Sequence, residues 1–591
     1  MTTYRMTTGR MTTGRMPRHP VRRRLTVFAD EAPENRARQG LALCDAVWEH
    51  PRKNADAKVR RRKGTTMPNR TRRTWAIATA AALTGAVALA SPAYAAPNNN
   101  SVEKITKAVT LEGVMEHLEA FQAIADEHGD RAAGRPGYAA SRDYVVAQLQ
   151  EAGYSPVVQE FPFEYFDENN VLTRTVGGTT TTYVDGEDFL RNRFDTGSPE
   201  GTATGTLVLV DLPSPDNTSG CTAGDFGVLP ADSVVLVQRG GCGFAVKAVN
   251  AQAAGAEAVI VMGNNNDETL INMIGAAPGL TIPAVFVPYS VGADLASTPG
   301  ATVTVTVDYD AEIRTTWNVL AETSDGNDDN VVMAGAHLDS VQDGPGINDN
   351  GSGSAGLLET AIQMQKTKPN NTVRFAWWGA EEEGLLGSEH YVGALSEDEV
   401  EDIALYLNFD MIGSPNYMFG IYDGDNSGGT AAPGFIPEGS AQIEDVFEAF
   451  YDGRGLPSQD SEFSGRSDYG PFIAVGIPAG GLFTGAEVPK TAAEAALYGG
   501  VIGASYDPCY HQPCDNLTGA GQDVALYDAL REDYDLVGNI NTFALDVNAD
   551  AVAAAVATFA FDTSTVNDVQ APGKSHGAGK SMDAMKERFA E

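Results

Sequence analysis

Apolar residues along this chain recur at two different spacings, and the way those spacings alternate predicts the architecture. Residues 110–129, TLEGVMEHLEAFQAIADEHG, carry apolar side chains at helical spacing. A Pro-Gly turn then opens residues 134–154, a second amphipathic helix ending at Gly153. SPVVQEFPFEYF reads as a strand. From about 314 to 545, strand-like runs such as TWNVLAET, NVVMAGAHLD, TVRFAWWGAEE, IALYLNFDMIG and IPAGGLFTG are interleaved with helical patterns such as GSGSAGLLETAIQMQK and GSEHYVGAL. That alternation predicts a three-layer α/β domain with a mostly parallel central sheet. Residues 200–308 differ, with short β-like runs (TLVLVDL, SVVLVQRG, AEAVIVMG, IPAVFVPY, TVTVTVDY) around one helix-like piece. They read as a β-rich module inserted into the α/β domain. The expected division is 105–195 and 309–545 for the two parts of the α/β domain and 196–308 for the insert. Residues 546–591 are assigned to a C-terminal tail, disordered or processed and polar from 563 onward.

Composition sharpens this picture at the N-terminus. The net charge is −38, but residues 1–95 hold 19 basic and 6 acidic residues, leaving 22 and 73 for the rest. An acidic body argues against nucleic acid and against an anionic membrane surface as partners. Within 67–95, MPNRTRRTW supplies a basic start, AIATAAALTGAVALA an apolar stretch too short to span a bilayer, and AYA a small-residue cleavage site. This is the pattern of a signal peptide, which implies a secreted, extracellular protein with no membrane attachment after cleavage. Residues 1–66 precede it, so Met67 is the expected start and 1–66 a non-native extension. Outside that region four cysteines form two local pairs, Cys221/Cys242 and Cys509/Cys514. An exported chain favours disulfides for both, and no CxxC spacing supports a thiolate zinc site.

Candidate chemistry collects at strand ends. His337 closes the apolar run VVMAGAH, Asp339 follows it, and Asp349 sits in the glycine-rich loop GPGINDNGSG before a helix. Glu381, Glu382 and Glu383 come just past FAWWGA, Asp410 ends YLNFD, and His511 lies between two cysteines in CYHQPC. Open α/β sheets bind ligands beyond the carboxyl ends of their strands. Taken singly, each residue reads as a turn former or a surface group. Several together form a buried acidic cluster that would repel itself without cations, and two histidines with three carboxylates suit two divalent metals sharing one carboxylate.

The motifs HLDS, GINDNGSGSAGLLE, FAWWGAEEEGLLGSEHY, LNFDMIGSPN, GRSDYGPF and DPCYHQPCDN, in this order, resemble the two-zinc aminopeptidases of the Streptomyces aminopeptidase and aminopeptidase Y type. Residues 200–308, with VLVQRGGCGFAVKAVNAQAAGAEAVIV, resemble a protease-associated domain. The resemblance implies His337 and Asp410 on one zinc, Glu382 and His511 on the other, and Asp349 as the bridge. It implies Glu381 as general base, Asp339 as the carboxylate orienting His337, and Tyr510 and Arg466 near the oxyanion or the substrate's amino end. Phe483 is the implied contributor to a pocket for large hydrophobic first residues, leucine especially. Glu383 stands where relatives often have an apolar residue and reads as surface. Calcium occurs in some relatives, but no set of calcium ligands is identified here. The implied partners are peptides or proteins with free N-termini, acted on by a monomer. A two-zinc dipeptidase or carboxypeptidase is the rival reading, and it needs cationic groups for a substrate carboxylate. A non-catalytic peptide-binding protein is a second rival, and it would have lost ligands or base; none is lost.

Overall fold

Four parallel strands make the middle of the larger sheet, in the order Val373–Trp378, Val331–His337, Ile403–Phe409 and Ala479–Phe483. Antiparallel Tyr309–Glu322 and Val157–Glu168 extend one edge, and Gly420–Tyr422 with Gln459–Ser461 extends the other. The computed structural model describes residues 98–569, apart from breaks at 187, 195–198, 215–216, 265–269, 272, 274 and 432–433, together with Lys586 and Phe589. The expected extension 1–66 and signal segment 67–95 lie outside the described residues.

The central strands are apolar throughout because both faces are covered. Trp377 and Trp378, consecutive and both fully buried, point to opposite layers, as side-chain alternation along a strand requires. On one face, Phe375, Trp377, Leu405 and Leu407 meet the helices Leu111–His128, Gly353–Met364, Ser440–Gly453 and Thr542–Phe561. On the other, Met333, Trp378 and Tyr406 meet Leu386–Gly393 and Tyr469–Ala474, with the Tyr406 and Phe472 rings stacked at 3.9 Å. The two N-terminal helices fall where the pattern put them. Thr110 caps Leu111–His128 by accepting from the Gly113 N–H, and Gly153 ends Pro136–Ala152 at φ 108°.

Two segments depart from the sequence reading. Residues 546–561, assigned to the tail, continue the helix Thr542–Phe561, one of the most buried elements of the core. Its alanine-rich run is apolar on every side, so it carries no amphipathic stripe, and that is the signature of a fully enclosed helix. Near the C-terminus Phe589 packs on Phe450 with ring centroids 5.5 Å apart. Phe559 is fully buried in this layer, so Phe559→Ala is expected to lower unfolding free energy by about 3–5 kcal/mol in a denaturant titration.

The second departure concerns residues 171–191, placed with the α/β domain from sequence. Their strands Val171–Val176, Thr179–Tyr183 and Leu190–Arg191 belong instead to the second eight-stranded sheet, with strands from the inserted region. The reason is pairing. Val157–Glu168 runs antiparallel to Tyr309–Glu322 until Glu168 faces Tyr309, the Asn169 N–H donates to the Asp308 carbonyl at 2.8 Å, and Val171 then pairs with Thr306. The two disulfides expected from the cysteine pairs are present, Cys221–Cys242 and Cys509–Cys514.

Candidate active site

His337 closes its strand, and the strands on both sides bring partners to the same end. Trp378 pairs with His337 across one neighbour, which leads into Glu381 and Glu382. On the other side Gly335 pairs with Asn408, two residues before Asp410. Asp349 arrives from the turn before Gly353–Met364, and His511 from the loop closed by Cys509–Cys514. His337 Nε2 lies 3.2 Å from Asp349 Oδ1 and 3.3 Å from Asp410 Oδ1. His511 Nε2 lies 3.3 Å from Asp349 Oδ2 and 3.1 Å from Glu382 Oε2. The two oxygens of Asp349 thus face different histidines. Two compact donor groups result, His337/Asp349/Asp410 and Asp349/Glu382/His511, while a third grouping of His337, Glu381 and Glu382 straddles them.

Consecutive glutamates reach one site only because the chain leaves its strand. The reversal falls on Ala380, at φ 59°, with Gly384 at φ 105° completing the turn. Gly379 lacks a side chain for a packing reason: a Cβ there would sit 2.3 Å from the Tyr138 hydroxyl oxygen. Asp339 holds this turn, accepting from the Glu381 N–H at 3.2 Å and the Glu382 N–H at 3.3 Å. Its carboxylate is 3.7 Å from His337 Nδ1, so the contact that orients the imidazole is with the Asp339 backbone carbonyl, at 3.1 Å.

Several supporting groups carry no signal at the level of short motifs. Arg131, fully buried between the first helices, donates to the carbonyls of Leu338 and Gly346, both at 2.5 Å, and to Pro345 at 2.8 Å. It thereby ties the segment after His337 to the loop before Asp349. Asp515, just past the disulfide, accepts from the Asn348 and Asp349 N–H groups at 2.8 and 3.0 Å. Ser467 donates to Asp410 Oδ2 at 2.6 Å and accepts from Asn408 at 2.8 Å. The two aspartates flanking CYHQPC were the one visible hint of this shell, since they bracket the loop that carries His511.

The charges suit cations. Burial raises the Glu381 and Glu382 carboxyls despite the pull of His337 and His511, and Glu382 Oε1 is buried without a hydrogen-bond partner. Burial also pushes Asp468, behind them, up to about 7. For His337, burial alone would lower the imidazole, but the Glu381 and Asp410 charges outweigh it and lift it well above its ordinary value. Glu382 and Asp349 do the same for His511. Carboxyls pressed to take up protons beside imidazoles pressed to hold them, with an orphaned oxygen among them, form a donor set that divalent ions would satisfy.

The cluster opens into a cavity of about 320 Å³ lined also by Tyr510, Arg466 and Phe483. Tyr510 stacks on His511 with centroids 3.8 Å apart, and the largely exposed Arg466 lies 3.7 Å from Glu487. Glu383, read as plain surface, is half-buried and lines a separate cavity of about 500 Å³ with Arg193, Phe163 and His390. Burial pushes its carboxyl up to about 7 against the opposing pull of the Arg193 charge.

The family profile of peptidase family M28 matches residues 318–525, and that of the PA domain matches 203–295. An aminopeptidase of Pseudomonas aeruginosa is 42% identical over 492 residues, covering 82% of this chain and 87% of that protein. Leucine aminopeptidase 2 of Trichophyton tonsurans is 39% identical over 458 residues, covering 76% and 84%. Among solved structures, the aminopeptidase from Aneurinibacillus sp. strain AM-1 is similar at 28% identity and a TM-score of 0.54, covering 77% of this chain and 95% of that one. The chain belongs to peptidase family M28, with an inserted PA domain, and is by class a metallo-aminopeptidase.

Proposed function

We propose that this chain is an exported aminopeptidase that removes leucine-like N-terminal residues from peptides with two zinc ions. The observation that carries the reading is the placement of Asp349, with one oxygen toward His337 and the other toward His511 at 3.2 and 3.3 Å. His337 and Asp410 would hold one ion, His511 and Glu382 the other, and Asp349 both. Imidazole with carboxylate is a donor set that zinc accepts. Bound there, the ions would supply Lewis acidity and an acidified water.

The remaining steps fall to side chains. Glu381 Oε2 is 4.0 Å from His337 Nε2 and is left over once both donor groups are filled. It is the general base, taking the proton of the attacking water and passing it to the leaving amine. Tyr510, beside His511 in the same cavity, supplies a hydroxyl donor to the developing oxyanion, and Arg466 adds positive charge at the rim. Asp339 and Arg131 position the loops. Phe483 and Met411 offer apolar surface to a leucine-like side chain. Export is supported by the signal pattern at 67–95 and by the two disulfides. Among the described residues that line the cavity Arg466 is the one arginine, there is no lysine, and the other charged groups besides the two histidines are acidic, so little there would capture the substrate carboxylate that a carboxypeptidase must bind.

The purified chain is expected to hydrolyse leucine-p-nitroanilide and to leave N-acetyl-leucine-p-nitroanilide intact. A chelator should abolish the activity and added zinc restore it. Turnover of the blocked substrate, or full activity after metal removal, contradicts the reading.

A further inference from the structure

The loop that carries His511 is closed twice, once by Cys509–Cys514 and once by a buried amide. Asp507 stands at the loop's entry and Asp515 at its exit, and both are buried. The side-chain nitrogen of Asn539 donates to both, at 2.9 Å to Asp507 Oδ1 and 2.8 Å to Asp515 Oδ1. Asn348, next to Asp349, reaches the same two carboxylates. Its backbone N–H donates to Asp515 at 2.8 Å and its side-chain amide to Asp507 at 2.6 Å. The four residues thus form a closed ring in which two acceptors alternate with two donors. From this ring Asp515 also accepts the Asp349 N–H at 3.0 Å, and Asp507 the Cys509 N–H at 2.8 Å. The turn that presents Asp349 and the loop that presents His511 are therefore locked together.

Asn539 is the anchored member of the ring. It is fully buried in the turn between Leu536–Val537 and Ile540–Asn541, and Asn541 caps the enclosed helix Thr542–Phe561. Tyr527, from the helix Val524–Asp533, donates its hydroxyl to Asn539 Oδ1. Ionised carboxylates only accept, so the amide sits one way round, with NH2 toward the aspartates and oxygen toward the phenol. Without that shared donor, two buried carboxylates would face each other across the ends of one short loop, and their repulsion would shift His511 against Asp349. The other half of the site is braced by different groups, Ser467 on Asp410 and Arg131 on the carbonyls of Leu338 and Gly346.

We propose that Asn539 is a positioning residue for the metal centre, setting His511 against Asp349 for the ion on the Glu382 side and leaving the ion of His337 and Asp410 unaffected. Outer-shell partners of metal ligands typically change metal affinity about 10–100-fold. The inference rests on the two-zinc reading and adds to it a residue that touches neither ion.

The test titrates the metal-free full chain with zinc by calorimetry, for the unmodified protein, Asn539→Ala, Glu382→Gln and the double variant. The unmodified protein should bind two ions. Asn539→Ala should bind one of them as tightly as before and the other at least about tenfold more weakly. Glu382→Gln should retain the ion of the His337 half, and adding Asn539→Ala to it should leave that affinity unchanged. A general loss of stability would lower the melting temperature of the metal-free protein without splitting the two affinities, so the split is the deciding readout. Two unchanged affinities, an equal weakening of both, or weaker binding in the double variant than in Glu382→Gln overturns this inference and leaves the two-zinc reading standing. Fewer than two ions in the unmodified protein overturns both. If Asn539→Ala does not fold, Tyr527→Phe decides, because it keeps the ring and removes the hydroxyl that orients the amide. One ion alone should then bind about threefold more weakly, the size of one lost hydrogen bond, and no change overturns the inference.

Discussion

Glu381→Gln should lower kcat for leucine-p-nitroanilide by about 10³-fold while the protein keeps its metal and nearly its KM. The magnitude is that of losing a positioned general base. Glutamine has the same shape, cannot take up the proton, and leaves undisturbed the backbone N–H that Asp339 holds at 3.2 Å. Metal retention follows from geometry. The five other side chains form two complete donor groups, and Glu381 stands 4.0 Å from the nearer histidine against 3.1–3.3 Å for the rest. Steady-state kinetics with elemental analysis of the same sample separates the outcomes. Normal turnover refutes the role as base, and lost metal would instead make Glu381 a ligand.

Asp349→Asn should be the more damaging change, because one residue serves both halves of the site. An amide retains a single good acceptor oxygen and cannot hold two cations. Bound metal is expected to fall below one ion per chain and activity to below about 1% of normal, since two-metal chemistry needs both ions together. The variant should also lose the stabilisation that ligand binding gives the folded state, about 2.7 kcal/mol where free metal is 100 times Kd. Chelation of the unmodified protein should reproduce the same activity and melting temperature. Added zinc should then rescue the unmodified protein but not the variant. Full metal content in Asp349→Asn would refute the bridging role.

How far sequence carried depends on where each group's information lies. His337 and Asp410 were legible because each ends an apolar run, and the end of a buried parallel strand is where such a sheet presents its chemistry. Asp349 was legible because its glycine-rich loop runs straight into a helix. Arg131 was not, and Asp515 showed only as an acid beside the loop of His511, without its role. Their partners are 215 and 167 residues away, and only the fold brings them together. The turn at Glu381 puts its positive φ on Ala380, since the neighbouring glycine is needed for close packing against Tyr138. The helix Thr542–Phe561 was cut at 545 because an all-apolar, alanine-rich segment shows no periodicity to follow. Glu383 was misread because a run of acids gives no sign of which way each one turns.

Glu168 and Tyr309 face each other across two antiparallel strands, so the second sheet's chain departs and returns at one point. In terms of chain entropy, those strands form a hairpin whose turn is a whole folded unit. A flexible loop of that length would charge the pairing of Val157–Glu168 with Tyr309–Glu322 its closure entropy. Here the second sheet holds its own two ends side by side, through Asn169 to Asp308 and Val171 to Thr306, and bears that entropy within its own folding. The sheet that carries His337 therefore keeps its register, and that strand end its place, for as long as the second sheet folds.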